Sequence, residues 1–211
     1  MSSAVFKNID TLCLASASPR RRLLAEEFGL NVKILSAGAE EIPGTGSPEE
    51  IAAGLAYQKA EAVLKQYTPG PREVILTADT SVWLGGRIFG KPSDAHDARA
   101  MLRLLSGAEH EVITGCVLAY RNPDNTGGAH SVNTLSFSAV TRVTVDVLTD
   151  EEIEAYIDSG DPFDKAGAYG IQGVFAVHVS RIDGCYNNVV GLPVNAVYKR
   201  LKEIDKVLQQ A

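Results

Sequence analysis

The apolar run Leu12-Cys13-Leu14-Ala15 breaks at Ser16-Ala17-Ser18-Pro19 and gives way at once to Arg20-Arg21-Arg22. Thr11 to Ala15 reads as a short buried strand. It runs into a helix with Ser18 as N-cap and Pro19 at the first helical position, continuing through Leu23, Leu24 and Phe28 and stopping at Gly29. Positive charge at a helix start opposes the helix dipole, so an anion is expected there in compensation. Free backbone N–H groups at that terminus, joined by guanidinium forks, suit a phosphate or polyphosphate. The same residues also read as a plain cap followed by solvated arginines, Arg22 above all. No GxxxxGK[ST] element decides between the two.

Further along, Val32 to Leu35 forms a second short strand, and the loop from Ser36 to Gly46 carries Glu40 and Glu41. Ser47-Pro48-Glu49-Glu50 combines an N-cap, a first-position proline and a capping-box glutamate, which predicts a helix from Pro48 to about Tyr67. Val74 to Ala78 is a strand ending at Asp79, and Ser81 to Leu84 and Arg87 to Phe89 flank a Gly85-Gly86 hairpin turn. Ser93 caps a helix to Leu105. Val112 to Arg121 and Ser136 to Val147 are strands able to pair antiparallel across the polar segment Asn122 to Ala129. Thr149-Asp150-Glu151-Glu152 opens another capped helix through Ile157. Asp161 to Gly173 is a Gly-rich loop, Val174 to Ile182 a strand, Asp183-Gly184 a turn, and Leu192-Pro193 leads into a last helix. Early interleaving of strands and helices with later antiparallel pairing indicates an α/β domain with a mixed sheet.

The 211 residues carry a formal net charge of -6, with the basic residues scattered apart from the arginine triplet. That is not the footprint of a protein that wraps nucleic acid, although a small anionic ligand in a local basic pocket remains compatible. Cys13, Cys116 and Cys185 are far apart and form no CxxC pair, which argues against a disulfide framework and a thiolate metal site. Cys13 and Cys116 read as core residues. The segment Met1 to Asp10 lacks a secretory pattern and no stretch is apolar for a bilayer's thickness, so a soluble intracellular protein without a membrane partner is expected. His96, His110, His130 and His178 are dispersed, and no G-x-S-x-G elbow is present.

Asp79 is the leading carboxylate. At the carboxyl end of a strand it could hold Mg²⁺ or deprotonate a water, or it could simply cap a turn. Gly90-Lys91-Pro92 follows closely enough to reach the same place. Glu40 and Glu41 read as surface charge or as a second magnesium ligand. Lys59 sits within the long helix, where a lone lysine ordinarily faces solvent. Asp164 to Gly173 holds glycines, a charged pair and Gln172, whose amide could read a base edge; the plainer reading is a tight loop with Asp164 and Lys165 paired on the surface.

Taken together, the chain resembles the Maf family of nucleoside triphosphate pyrophosphatases. The resemblance rests on Ala15 to Arg21, Leu55 to Ala60, Thr77 to Thr80, Gly90-Lys91-Pro92, Ser106-Gly107 with Val112 to Gly115, Asp164 to Gly173, and Val189 to Pro193, in that order from about Leu12 to Leu201. It implies an α/β fold with an elongated mixed β-sheet flanked by helices, in two lobes around a central nucleotide-binding cleft. Residues 11–205 would form that domain, and 1–10 and 206–211 would be terminal extensions. It further implies a cytoplasmic, homodimeric enzyme that depends on a divalent cation, Mg²⁺ or Mn²⁺, and cleaves nucleoside triphosphates to monophosphate and pyrophosphate. Asp79 would activate water and share the metal with Glu41. Ser16, Arg21, Lys59 and Lys91 would contact the phosphates, and Arg20, Thr80 and Gln172 would choose the base, with Arg20 and Thr80 resembling the subgroup acting on dTTP and UTP.

Two departures from the family pattern bear on the chemistry, whereas Glu111 after His110 and the Asn122 to Ser131 insertion are peripheral to it. Ala17 stands where glycine is frequent, which requires that its backbone not be left-handed. Gly38-Ala39-Glu40-Glu41 is less acidic than the usual stretch, which leaves Glu40 and Glu41 both open as the metal-linked residue. Two alternatives keep the same pocket: a 7-methyl-GTP pyrophosphatase, and a non-catalytic nucleotide sensor acting in cell division.

Overall fold

The computed structural model describes residues 5–36, 38, 42–121 and 132–209. Strand β1 (Thr11–Leu14) leads into helix α1 (Pro19–Glu26), followed by β2 (Asn31–Ile34), α2 (Pro48–Leu64), β3 (Glu73–Leu84), β4 (Arg87–Phe89) and α3 (Ala95–Leu105). The long strands β5 (Glu109–Arg121) and β6 (Val132–Val145) come next, then α4 (Asp150–Asp158), a run of 3₁₀ turns, β7 (Val179–Asp183), α5 (Tyr186–Val190) and α6 (Val194–Gln209). The seven strands form one sheet ordered β2-β1-β3-β5-β6-β7, with β4 on β3. β1 is parallel to β2 and β3, whereas β3–β4 and β6–β7 are antiparallel, so the sheet is mixed as expected.

Local chemistry explains many of the boundaries. Ser18 caps α1 by accepting from the Arg21 amide, with Pro19 at its first position, and Ser47/Glu50 and Thr149/Glu152 form reciprocal capping boxes on α2 and α4. Gly85 and Gly86, with φ of 58° and 79°, supply the left-handed pair that a two-residue hairpin turn demands. The polar segment Asn122 to Ala129 lies outside the described residues.

Three expectations are corrected. Asp79 does not end a strand, because β3 runs unbroken from Glu73 to Leu84. It pairs with β1 up to Leu76 and with β4 from Val82 onward, so one long strand changes neighbour along its length. Helix α3 is capped by Asp94, not Ser93; the Asp94 carboxylate accepts from the Asp97 amide, and Asp97 in turn accepts from the Ser93 amide. The stretch 174–178 is a 3₁₀ turn instead of strand, because Phe175 is buried there against the rings of Tyr156 and Tyr169, and β7 begins only at Val179.

Chain packing divides the fold into two compact units: Met1–Asp79 with Thr114–Ala139 and Gly191–Ala211, and Thr80–Ile113 with Val140–Val190. In the first, Leu12, Leu14, Val74, Leu76, Cys116 and Leu118 pack with α6 residues Val197, Leu201 and Ile204. The alternate residues Cys13, Ala15, Ile75 and Ala119 pack with Val63 of α2 on the opposite face. The second unit centres on α3, α4 and the rings of Tyr156, Tyr169 and Phe175. Among the described residues, no helix is long and apolar enough to cross a membrane.

Candidate active site

In the first unit, the carboxyl end of β1 is tied to β3 by the Ala15 amide donating to the Leu76 carbonyl at 2.9 Å. Ser16 therefore leaves the sheet beside the part of β3 that leads into Asp79. The Ser16 hydroxyl accepts from the Ser18 amide at 3.2 Å and from Arg21 Nη1 at 3.3 Å. Arg21 is anchored from its other edge, where Nε donates to the Gly191 carbonyl at 2.8 Å. These bonds fix a guanidinium at the start of α1 and join two segments 170 residues apart in the chain. Ala17 is not among the residues with positive φ, which are glycines and Ala168, so alanine is accommodated there.

Arg20 is half-buried beside Arg21 on α1. Arg22 points to solvent and pairs with Glu26 one turn on, in keeping with its reading as a surface residue. Beneath Arg21 lies the buried Cys116, whose thiol burial pushes up to about 12, only partly offset by the nearby guanidinium. An un-ionised thiol in an apolar setting is a packing group, as its sequence context suggested.

On the sheet face that carries Cys13 and Ile75, α2 delivers Lys59. Its Nζ donates to Asp79 Oδ1 at 2.6 Å, with both side chains only 12% exposed. The expectation that a lone helical lysine faces solvent gives way here, because α2 covers the sheet face onto which Asp79 projects. A buried charge pair is tolerated because each ion neutralises the other, and the contact fixes the carboxylate's orientation. Lys59 thus engages the carboxylate through Oδ1. Thr80 follows directly in β3.

Two other expected residues belong to the second unit: Lys91, exposed just beyond β4, and Gln172, exposed between 3₁₀ turns. The loops that carry them are linked by the Gly167 amide donating to the Gly90 carbonyl at 3.0 Å. Ala168, at φ 59°, sits in the left-handed region beside this link, a strained backbone of the kind surrounding packing must hold. That hold is visible at Tyr169, whose hydroxyl meets His110 Nε2 at 2.7 Å, and at Gly170, whose amide donates to the Tyr156 hydroxyl.

Lys165, which on the plainer reading of this loop pairs with Asp164 on the surface, is 11% exposed. It donates to the Asp161 carbonyl, the Asp161 carboxylate and Asp164.

Glu40 and Glu41 lie outside the described residues. Among the described residues no group of three or more His, Cys, Asp or Glu side chains comes together as a metal cage. The donor set at Asp79 is one hard carboxylate oxygen, which suits a magnesium-like ion that completes its shell from waters and substrate phosphates.

Sequence reasoning did not single out Thr77, Gly115 or the Gly191 carbonyl. Thr77 donates from Oγ1 to the Ala56 carbonyl at 2.7 Å, and Gly115 lies against the Ala52 carbonyl. Only pairing of distant segments reveals these contacts; the one sequence signal was that all three fall within the stretches that carry the family resemblance.

Known proteins resemble this chain over nearly its whole length. The profile of the family described as Maf-like protein matches residues 11–204. A dTTP/UTP pyrophosphatase of Agathobacter rectalis is 42% identical over 203 residues, spanning 92% of this chain and 97% of its own. One of Carboxydothermus hydrogenoformans is 46% identical over 190 residues, spanning 90% and 96%. One of Geobacillus sp. is 44% identical over 194 residues, spanning 92% and 97%. With the family profile matched over residues 11–204 and near full-length relatives at this identity, the chain belongs to the Maf family.

Proposed function

We propose that the protein hydrolyses dTTP and UTP between the α and β phosphates, releasing the nucleoside monophosphate and pyrophosphate. The observation that carries the proposal is the Lys59–Asp79 pair, a buried carboxylate held by an ammonium at 2.6 Å in the unit that also presents Arg21 at a helix start. Relatives bearing the name dTTP/UTP pyrophosphatase support the choice of substrate.

In this reading Asp79 takes the proton from the water that attacks the α-phosphorus, and Lys59 holds the carboxylate aligned for that transfer. Ser16 and Arg21 engage phosphate oxygens, with backbone N–H groups at the start of α1 adding donors. Lys59 and Lys91 add positive charge against the departing pyrophosphate. A divalent cation, Mg²⁺ or Mn²⁺, polarises the phosphoryl oxygens when bound, and Asp79 and Glu41 would hold it. Arg20, Thr80 and Gln172 distinguish the base. We assign the protein to the cytoplasm, a compartment that holds nucleoside triphosphates, and the family likeness suggests a homodimer.

The test is pyrophosphate release from dTTP, UTP, 7-methyl-GTP and unmodified purine triphosphates with Mg²⁺ or Mn²⁺, for the native protein and Asp79→Asn. The native protein should prefer dTTP and UTP, and the variant should lose ~10²-fold or more in kcat, the scale of a general base. Orthophosphate as the direct product, a preference for 7-methyl-GTP, or near-native turnover by the variant would each refute the assignment.

A further inference from the structure

Helix α2 buries a row of three alanines, Ala52, Ala56 and Ala60, one turn apart on a single face, with Leu55 and Val63 buried beside them. Small side chains let the helix backbone come close to the strands, and two contacts show how close. A Cβ built on Gly115 of β5 would stand 2.0 Å from the Ala52 carbonyl oxygen and 2.5 Å from the Ala53 nitrogen, which is steric overlap with main-chain atoms. One helical turn further on, the fully buried hydroxyl of Thr77 donates to the Ala56 carbonyl at 2.7 Å. Both contacts grip the backbone of α2, so they place the helix itself and not merely a side chain.

Their positions relative to the charged pair are regular. Lys59 lies one turn past Ala56, and Asp79 lies two residues past Thr77 on the same face of β3. The neutral tie Thr77–Ala56 and the ion pair Asp79–Lys59 are therefore successive rungs between one strand and one helix, bonded at 2.7 and 2.6 Å. A lysine stem is long and flexible, and it finds one geometry only if its root is fixed. We infer that Thr77 and Gly115 are positioning residues that set how Lys59 meets Asp79. The inference rests on the hydrolase reading of that pair and adds the elements that align it.

The informative variant is Thr77→Val, which keeps the shape of the side chain and removes the hydroxyl. The Ala56 carbonyl lies inside α2, where the helix supplies an amide donor of its own, and the thermal midpoint reports whether the fold is kept. The measurement is kcat and KM for UTP hydrolysis by the full chain for Thr77→Val, Thr77→Ser, Lys59→Met and the Thr77→Val/Lys59→Met double variant. Asp79→Asn is run in parallel and each protein's thermal midpoint is recorded.

Misalignment of a reacting group is expected to lower kcat ~10-fold in Thr77→Val while KM stays within about twofold, and Thr77→Ser should restore most of it. In the Lys59→Met background the same change should lower kcat less than about twofold, since the tie then has no pair to align. A native kcat in Thr77→Val, or an equal loss in both backgrounds, overturns the inference. Active Asp79→Asn would instead sink the hydrolase reading and is told apart by that variant alone. Gly115→Ala should show a larger loss of kcat than Thr77→Val. If it is folded by circular dichroism and fully active, Gly115 has no positioning role.

Discussion

Each of the two units buries a lysine, and they do so differently. In the first, Lys59 crosses from α2 to meet Asp79 on β3, 20 residues away in the chain. In the second, Lys165 turns back on its own surroundings and is held by oxygens of Asp161 and Asp164, within four residues. The local arrangement closes a loop around an ammonium and saturates it with oxygen acceptors. The long-range arrangement brings opposite charges from different elements together on one sheet face. Burial of a lysine thus identifies nothing by itself; the distance in the chain over which its charge is answered separates a structural staple from a candidate catalytic pair.

The sharpest way to break this contrast is to remove each ammonium in turn. Lys59→Met should lower kcat by one to two orders of magnitude, about the scale of losing a group that aligns or stabilises reacting atoms, with a comparatively small change in stability. Lys165→Met should do the reverse. It leaves Asp161 and Asp164 without their cation, and unfolding in urea should show a loss of about 2 kcal/mol. That is less than for a fully buried pair because Asp164 is 58% exposed. If Lys165→Met loses kcat while keeping its urea midpoint, the distinction between the two lysines collapses.

A second contrast concerns charge state. The second unit keeps His110 uncharged: burial alone pushes it down to about 4 from 6.5. Between those values the unfolded chain binds the proton that the folded chain refuses, so stability rises with pH across this window. The contribution is therefore neutral above about pH 6.5 and turns increasingly unfavourable as pH falls toward 4, reaching about 3 kcal/mol. His110→Gln, which retains a partner for the Tyr169 hydroxyl, should flatten the dependence of the urea midpoint between pH 7 and pH 4.5. An unchanged slope would show that His110 does not titrate in that window.

Much of this architecture was legible because its causes are local. Ser47 with Glu50 and Thr149 with Glu152 announce their helices within four residues, and Gly85-Gly86 announces its hairpin. The drop in hydrophobicity at Asp79-Thr80 mimics a strand end, although β3 continues to Leu84. What carries β3 through that point is the arrival of β4 where β1 leaves off, and the Lys59 ammonium that permits a carboxylate on a covered face. The alternation in 174–178 suggested strand, but the aromatic cluster around Phe175 won over local preference. For the candidate site, residue types pointed to Ser16, Arg21 and Asp79. The pairing of Lys59 with Asp79 needed the fold, since no spacing rule links a helix to a strand it merely covers.

The clearance at Gly115 has an evolutionary side. Any single-base change that alters a glycine codon introduces a side chain or a stop, and every side chain begins with the Cβ that would strike the Ala52 carbonyl at 2.0 Å. Gly54, on α2 itself, is in the opposite situation, with nothing within 4 Å of an added Cβ. The lineage of this protein can wander at 54, and at 115 it stands at a dead end in sequence space. It could leave only by first moving a whole helix, and with it the lysine that answers Asp79.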